Sequence, residues 1–560
     1  MALKNQWVGY ISRGYEQIKK SLLSRLGETN PEITDHSESN ILVIIIDMFS
    51  GIGEQLNYYI DNMARESFIS TARRYSSIVK LTRLIDYRIK AAIPASVDLT
   101  ISLPTEPIFK LQGQDEFFIP AGTKFSTNNG IDFISVADLT INSSGNYKLP
   151  LSQKEFVDNA FIGNTTGSFN QSYSLGKDYV HNSLLLSIGG QVWERQETLG
   201  RSGPLDKHYI VEVSENKVAN IIFGDNINGA VPEGNQEIRG DYYITQGKEG
   251  NVNANTIVNT EFVFGDYIDN QDITITNELS AVSGTDYENI ERIRRSAPLS
   301  LRTLDRAVTK QDFIDIAKLS PGVDKVDLSY KCGEKANIYI SPNGGGIAQT
   351  ALINSTTNYI NERRTLNTRI RVLASGESEI YLEISATAKF RRDGISTAND
   401  ITNALLERYS YENSGINSPI RTSDIIALVD NLEKVDYLSL DKIYLIPYFR
   451  SIEHSKTLLK VFKTLQNSNS IIHWELKYYG NNFKLFKERA YEADVNIGEE
   501  YIDKGSNFSI TINDNNYQDG QTWEFTTYPY NKNIETDDFT VPILKTENLK
   551  LSVTEQLIQN

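Results

Sequence analysis

Cysteine is almost missing from this 560-residue chain, which has one, Cys332. A lone thiol closes no intrachain disulfide and builds no Cys-based zinc cage, so the fold must stand on its apolar core. Histidine is scarce as well: His36, His181, His208, His454 and His473 lie far apart, with no HExxH pair. No GxSxG elbow occurs, so an α/β-hydrolase triad has no support. Basic charge is in deficit too, with 56 Lys and Arg against 72 Asp and Glu and a formal net charge of −16, which excludes a dedicated nucleic-acid binder. The longest aliphatic run, Ile41 to Ile46, stops at Asp47. That is far short of the roughly 20 apolar residues of a spanning helix, and no membrane segment is expected. Residues 1–6 lack the apolar stretch of a secretory signal, so a protein made and folded in a cytosol is expected.

What is present is ordinary globular stock, 39% hydrophobic and 23% charged, with 30 Tyr. Such a length suggests three or four domains at about 150 residues each. The first ninety residues carry a helical period. Ile41, Ile45, Met48, Phe49, Ile52, Leu56, Tyr59, Ile60 and Met63 form one apolar stripe, with Asp47, Glu54, Asn57 and Asp61 on the other face. Residues 35–40 supply several N-cap candidates. The stripe is longer than a two-helix pair needs, and two occupants stay open for it: the interior of a domain or an intermolecular helical bundle. A second helix follows Ser76 and Ser77.

The period then switches to two. Val97, Leu99, Ile101 and Leu103 alternate with polar residues, and turn signals such as Asn128-Asn129-Gly130 punctuate an antiparallel β-rich stretch. From about residue 285 the pattern mixes helix and strand. Thr309 and Asp312 predict a capped helix that stops at Pro321-Gly322. Val308 to Leu328 and Ile420 to Leu440 echo one another at an offset of 112 residues, pairing Asp312 with Asp424 and Val323 with Val435. Alternation returns at Ile472, Trp474, Leu476 and Tyr478. The expected fold class is α+β multidomain: a helical segment (1–92), an antiparallel β-rich domain (93–280), a pseudo-duplicated α/β domain (281–448) and a small C-terminal β-sandwich (449–560).

Few constellations suggest chemistry. Gly344-Gly345-Gly346 sits between a strand and a helix, as in a phosphate cradle, but lacks the Gly-Lys-Ser/Thr or spaced glycines of one. A nucleotide-dependent assembly factor would rest on it alone. Asp225 to Gly229 and Asn515 to Gly520 resemble calcium loops, yet Ile227 and Tyr517 stand where a third ligand belongs, so hairpin turns are expected. Trp474, Tyr478, Tyr479, Trp523, Tyr528 and Tyr530 would suit either sugar stacking or a sandwich core. The cluster Arg292, Arg294, Arg295, Arg302 and Arg306 has no interleaved aromatics and reads as an ion-pairing or interface feature. No catalytic residue, metal site or cofactor is nominated.

One stretch is more specific. Ser283-Gly284-Thr285-Asp286, Glu288, Glu291, Arg294-Arg295-Ser296-Ala297-Pro298 and Arg306-Ala307-Val308-Thr309-Lys310-Gln311-Asp312-Phe313, followed by Pro321-Gly322-Val323, resemble the signature of baseplate J-like proteins. Tyr58-Tyr59-Ile60-Asp61, Pro120-Ala121-Gly122-Thr123 and Phe223-Gly224-Asp225-Asn226 agree in order along the chain, so the resemblance covers roughly 30–445. It implies a non-enzymatic wedge subunit of a contractile-tail phage baseplate, residing in the virion and assembled in the host bacterial cytoplasm. Such a subunit joins wedges into a ring around the hub and takes part in the rearrangement that triggers sheath contraction. The implied partners are other wedge proteins and further copies of the chain, in homodimeric contacts within the ring, with no nucleic acid and no membrane insertion. Interface candidates are Ile41, Ile45, Phe49, Ile52, Leu56, Tyr59 and Met63 on the stripe, with Arg294, Arg295, Arg302 and Arg306. A tail-associated adhesin or polysaccharide-degrading spike is the alternative from another class.

Overall fold

The computed structural model describes residues 14–33, 35, 37, 39–85, 87–110, 115–269, 273–330, 335–390, 392–451, 460–464, 470–480, 482–503, 508–512, 517, 519–530, 532–536 and 538–555. The chain forms two interleaved compact units: residues 1–93, 155–245 and 286–305 make one, and 94–154, 246–285 and 306–560 the other.

In the first unit, α1 (Tyr15–Thr29), α2 (Ile41–Glu66) and α3 (Tyr75–Leu84) precede a seven-stranded sheet, and α4 (Ile290–Thr303) follows it. Among the N-cap candidates Asn40 does the work: its side chain accepts from the Leu42 amide at 2.9 Å. Asn289 caps α4 in the same way, accepting from the Arg292 amide at 2.8 Å. The sheet runs Glu155–Asn164, Glu237–Ile244, Leu185–Ile188, Gln191–Arg195, His208–Val213, Ala219–Phe223, Ser172–Gly176, with one parallel pair, Gln191–Arg195 against His208–Val213. Its interior holds Tyr179, Tyr209, Phe223 and Ile238, each at most 1% exposed.

The second unit opens with a six-stranded antiparallel sheet centred on Ser96–Leu103 and Gly145–Ser152. The alternation at Val97, Leu99, Ile101 and Leu103 points all four side chains into its core, at most 2% exposed. The segment 93–280, expected as one β-rich domain, is therefore divided, with its central part, 155–245, in the other unit. Alternation marks a strand but carries no information on which sheet receives it.

The α/β region contains the repeat. α5 (Lys310–Leu319) begins with a reciprocal capping box between Thr309 and Asp312 and leads into Val323–Ser329. With Ala336–Pro342, α6 (Thr350–Asn361) and Ile370–Ala374 it completes a three-stranded sheet whose central strand is antiparallel to Val323–Ser329 and parallel to Ile370–Ala374. The second copy uses Gly376–Ala388, α7 (Gly394–Arg408), α8 (Thr422–Asp430), Val435–Ile446 and Thr540–Glu555. Its central strand, Gly376–Ala388, is antiparallel to Val435–Ile446 and parallel to Thr540–Glu555. α7 packs on Thr540–Glu555 and on α8, as α6 packs on Ile370–Ala374 and on α5. The copies thus match in space with a permuted chain order. α7 begins at Gly394, where Asp393 caps it through the Ser396 amide at 2.6 Å.

The C-terminal β module sits between Val435–Ile446 and Thr540–Glu555. A five-stranded sheet (Arg450–Ser451, Thr522–Thr527, Ile472–Tyr479, Asn482–Lys487, Ala490–Asn496) and a three-stranded one (Lys460–Thr464, Phe508–Ile512, Glu500–Asp503) enclose Trp474, Leu476, Phe483, Phe508 and Trp523. Residues 540–555, expected within the C-terminal β domain, instead complete the α/β sheet, since Leu549, Leu551 and Val553 complement the apolar face of Ile380, Leu382 and Ile384. Leu382 is fully buried there. Leu382→Ala is expected to destabilise this unit by about 2–5 kcal/mol, read as an earlier unfolding transition in urea with the first unit unchanged.

Candidate functional site: the outward face of the long helix

Helix α2 packs through the side that its sequence makes small and polar. Val43, Ser50, Asp61 and Arg65 are buried, and Ile46, Asp47, Gly53 and Asn57 are half-buried along the same stripe. α1 lies antiparallel against it. Tyr15 Oη donates to Asp47 Oδ1 at 2.6 Å, and Lys19 Nζ reaches the same oxygen at 2.7 Å. A Cβ on Gly53 would stand 3.2 Å from Ile18 Cδ1, so the glycine permits the close approach. The Lys19 and Tyr15 hydrogen bonds hold the Asp47 carboxyl below its ordinary value, and the bond to Asp47 raises both partners.

The opposite side is open and apolar. Ile41, Ile45, Phe49, Ile52, Leu56, Tyr59 and Met63 are 42–74% exposed. From Ile45 onward their spacing alternates four, three, four, three, four, which is the a/d seam of a coiled coil. Asp61, expected on the solvent face, is on the packed one. At 26 residues α2 is also long and apolar enough to cross a membrane, by length and composition alone. The aliphatic run by itself did not suggest this.

The end of α2 is fixed by arginine. Arg294 Nε donates to the Ile69 carbonyl at 3.1 Å, its Nη2 to the Ala72 carbonyl and its Nη1 to Glu291. Arg294 is therefore engaged inside its own unit, tying the turn after α2 to α4. Arg295 and Arg302 lie exposed on α4, and Arg306, also exposed, belongs to the other unit. Beside them Tyr87 Oη donates to both oxygens of buried Glu288 at 2.8 and 2.9 Å, with Arg292 3.8 Å away. Burial first, then the Glu288 charge, holds the Tyr87 phenol well above its ordinary value, so it stays a donor. α3 is anchored on the sheet by Arg83 and Arg88 to Glu212 and by Lys80 to Glu215.

The chemical candidates resolve as structure. Gly346 N–H donates to Glu377 Oε1 at 2.6 Å, so the glycine turn already holds a carboxylate of its own chain. Asp225 Oδ1 accepts from the Ile227 and Asn228 amides at 3.0 and 2.7 Å, which builds a turn and lowers the carboxyl's pKa. Trp474, Tyr478, Trp523 and Tyr528 are core residues, at most 7% exposed. His181 is half-buried and accepts from the Ala91 amide at 3.3 Å; desolvation, helped by Arg195 and Lys90, drives its pKa down to about 3. Cys332, His36, His454 and residues 515, 516 and 518 of the 515–520 turn lie outside the described residues. Among the described residues no group of three or more His, Cys, Asp or Glu could hold a metal ion.

The helical segment thus defines a class. Residues 14–84, which contain α1 to α3, match the family described as "Bacteriophage baseplate protein, N-terminal domain". A particular relative extends the match: the chain is 22% identical over 339 residues to baseplate wedge protein gp6 of Enterobacteria phage T4, covering 54% of this chain and 49% of that protein. The chain spans about half the length of the curated relative it matches. It is also similar to the cryo-EM structure of the anti-feeding prophage (AFP) baseplate, 6-fold symmetrised, over 76% of this chain and 86% of that one, at 12% identity and a TM-score of 0.27. So loose a superposition carries no argument. The family and the wedge relative support a structural baseplate role.

The α1–α2 contact is expected to be strongest between about pH 4 and pH 10. The Asp47 contribution, from a depressed carboxyl, is present above its unfolded value and lost as pH falls through the folded one. The contributions of Lys19 and Tyr15, both raised, are present below their unfolded values and lost as pH rises through the folded ones. A fluorescence-transfer pair across the two helices should report separation on both sides, and Asp47→Asn should flatten the acid limb.

Proposed function

We propose that this protein is a structural subunit of a contractile-tail baseplate wedge, of the baseplate J-like kind, and that the outward seam of α2 bundles with helices of other wedge subunits. The exposed heptad seam is the observation that carries this. Seven half-open apolar residues gain on the order of 1 kcal/mol each when a partner covers them. A bilayer would offer a similar gain but would have to take in Asp47, Glu54, Asp61 and Arg65, at about 2.5–3.5 kcal/mol for a central charge. Protein partners therefore win over a membrane.

In this reading residues 1–92 are the assembly segment. The α/β region 285–448 supplies the contacts that link wedges, including those between copies of the chain, into a ring around the hub. Exposed Arg295 and Arg302 in the first unit, and Arg306 in the second, each supply polar contacts to partners, and a shift of such contacts accompanies the rearrangement that triggers sheath contraction. The role needs no catalytic residue, and the site of action is the tail baseplate of the virion, after assembly in the host cytoplasm.

Ile45→Asp combined with Phe49→Asp is the test. Both side chains are already exposed, so the chain should keep its circular-dichroism spectrum and melting profile. Each change removes on the order of 1 kcal/mol of burial and sets a carboxylate in the seam at a further desolvation cost of about 1–3 kcal/mol, so affinity for co-expressed wedge partners should fall by about 100-fold or more. Normal co-purification of those partners with the double variant would refute the bundle.

A further inference from the structure

Within the second unit, the outer face of the five-stranded sheet and one face of the Ala336–Pro342 strand, through Asn337 and Tyr339, enclose a groove of about 1040 Å³. That is at the upper end of small-molecule sites, roughly 300–1,000 Å³. The sheet's register lays one row of side chains along the groove: Arg450 opposite Glu524, Glu524 opposite Glu475, Glu475 opposite Phe486. Two carboxylates directly opposite each other on one face weaken a sheet, and Lys477 Nζ, 3.2 Å from Glu475 Oε1, offsets part of that repulsion. On the facing wall, Tyr339 stacks on Phe539 with centroids 4.1 Å apart, and the Arg450 guanidinium lies 4.8 Å over the Tyr339 ring.

Backbone strain gathers at the same place. Phe539, Glu488 and Arg489 have φ of +57°, +48° and +70°. They are three of the seven described residues, other than Gly and Asn, in the left-handed region. Glu488 and Arg489 form the two-residue turn between Asn482–Lys487 and Ala490–Asn496, where Asn-Gly is the relaxed choice. Left-handed non-glycine residues persist where function holds them. The groove's charges nearly cancel, with four carboxylates against three cations and His473. A polyanion would meet no positive field there, and an apolar peptide would leave the carboxylates unsolvated. Carboxylates and Asn337 beside the Phe486 and Phe539 rings, with Lys477 Nζ 5.1 Å from the Phe486 centroid, suit vicinal hydroxyls on one side and C–H faces on the other.

We propose that this groove binds an uncharged oligosaccharide, with Glu475 and Glu524 accepting from its hydroxyls and Phe486 and Phe539 packing against the pyranose faces. The site is independent of the α2 seam. The probe is an array of neutral bacterial surface glycans (O-chain and capsular repeats) together with maltohexaose, cellohexaose and chitohexaose, read with the full chain and followed by titration calorimetry. Wild type and the Ile45→Asp/Phe49→Asp variant should bind at least one glycan equally. Glu475→Gln and Phe486→Ala should each weaken that binding about tenfold or more with unchanged melting. Arg489→Gly should raise the melting midpoint while weakening binding, whereas a merely structural turn would gain stability at no loss. Binding confined to the free hexaoses would make the ligand a soluble sugar, and binding to the surface repeats a cell-wall glycan; either supports the groove. No glycan above background, or equal binding by Glu475→Gln and Phe486→Ala, overturns the proposal. A wedge protein captured by wild type and lost with those two variants, in the absence of glycan, overturns it in favour of a protein interface.

Discussion

The side of α2 that faces the protein is small and polar, and the exposed seam follows from that constraint. Asp47 is held by Tyr15 and Lys19, and Gly53 admits Ile18, so α1 and α2 can approach only in this orientation. Turning α2 by half a revolution would bury its isoleucines but strand a carboxylate and open a gap beside Ile18. An ordinary surface helix turns its apolar stripe inward. Here the stripe faces outward, and the isolated chain leaves that apolar surface uncovered.

Such a face is useful only if its direction is fixed. The turn after α2 is tied to α4 by the donors of Arg294, and the segment after α3 is fixed by the Tyr87–Glu288 pair. Both are buried or half-buried contacts over long sequence separations, where removing one partner leaves the other unsatisfied. Arg294, which in the sequence looked like part of a surface cluster, is a positioning residue for the helix the partners would meet.

Periodicity made much of this legible. The stripe on α2 and the helix-then-strand echo are local patterns: α5 and α8 begin at 310 and 422, and their following strands at 323 and 435. What periodicity cannot carry is the partner of each face. It did not reveal that Asp61 would be buried, that 155–245 would leave the neighbouring sheet, or that 540–555 would return to the α/β region, because each depends on contacts far away in sequence. Of the two uses open to the C-terminal aromatics, sugar stacking or a sandwich core, Trp474 and Trp523 take the second, alternating inward into the sandwich. The groove's rings, Phe486 and Phe539, come from the end of an inner strand and from a left-handed residue that no motif marks.

The return of Thr540–Glu555 also sets a timetable. The Gly376–Ala388 strand has its parallel partner beyond the whole β module; Ser375 and Phe539, which bond where the two strands meet, are 164 residues apart. While the ribosome works through the module, one edge of that strand stays open and the apolar faces of Ile380 and Leu382 lack their last cover. Long-range pairing of this kind is slow and exposes a sticky edge. A product cut short before residue 540 would carry an unfinished edge on Gly376–Ala388, of the kind that pairs with other chains unless it is covered.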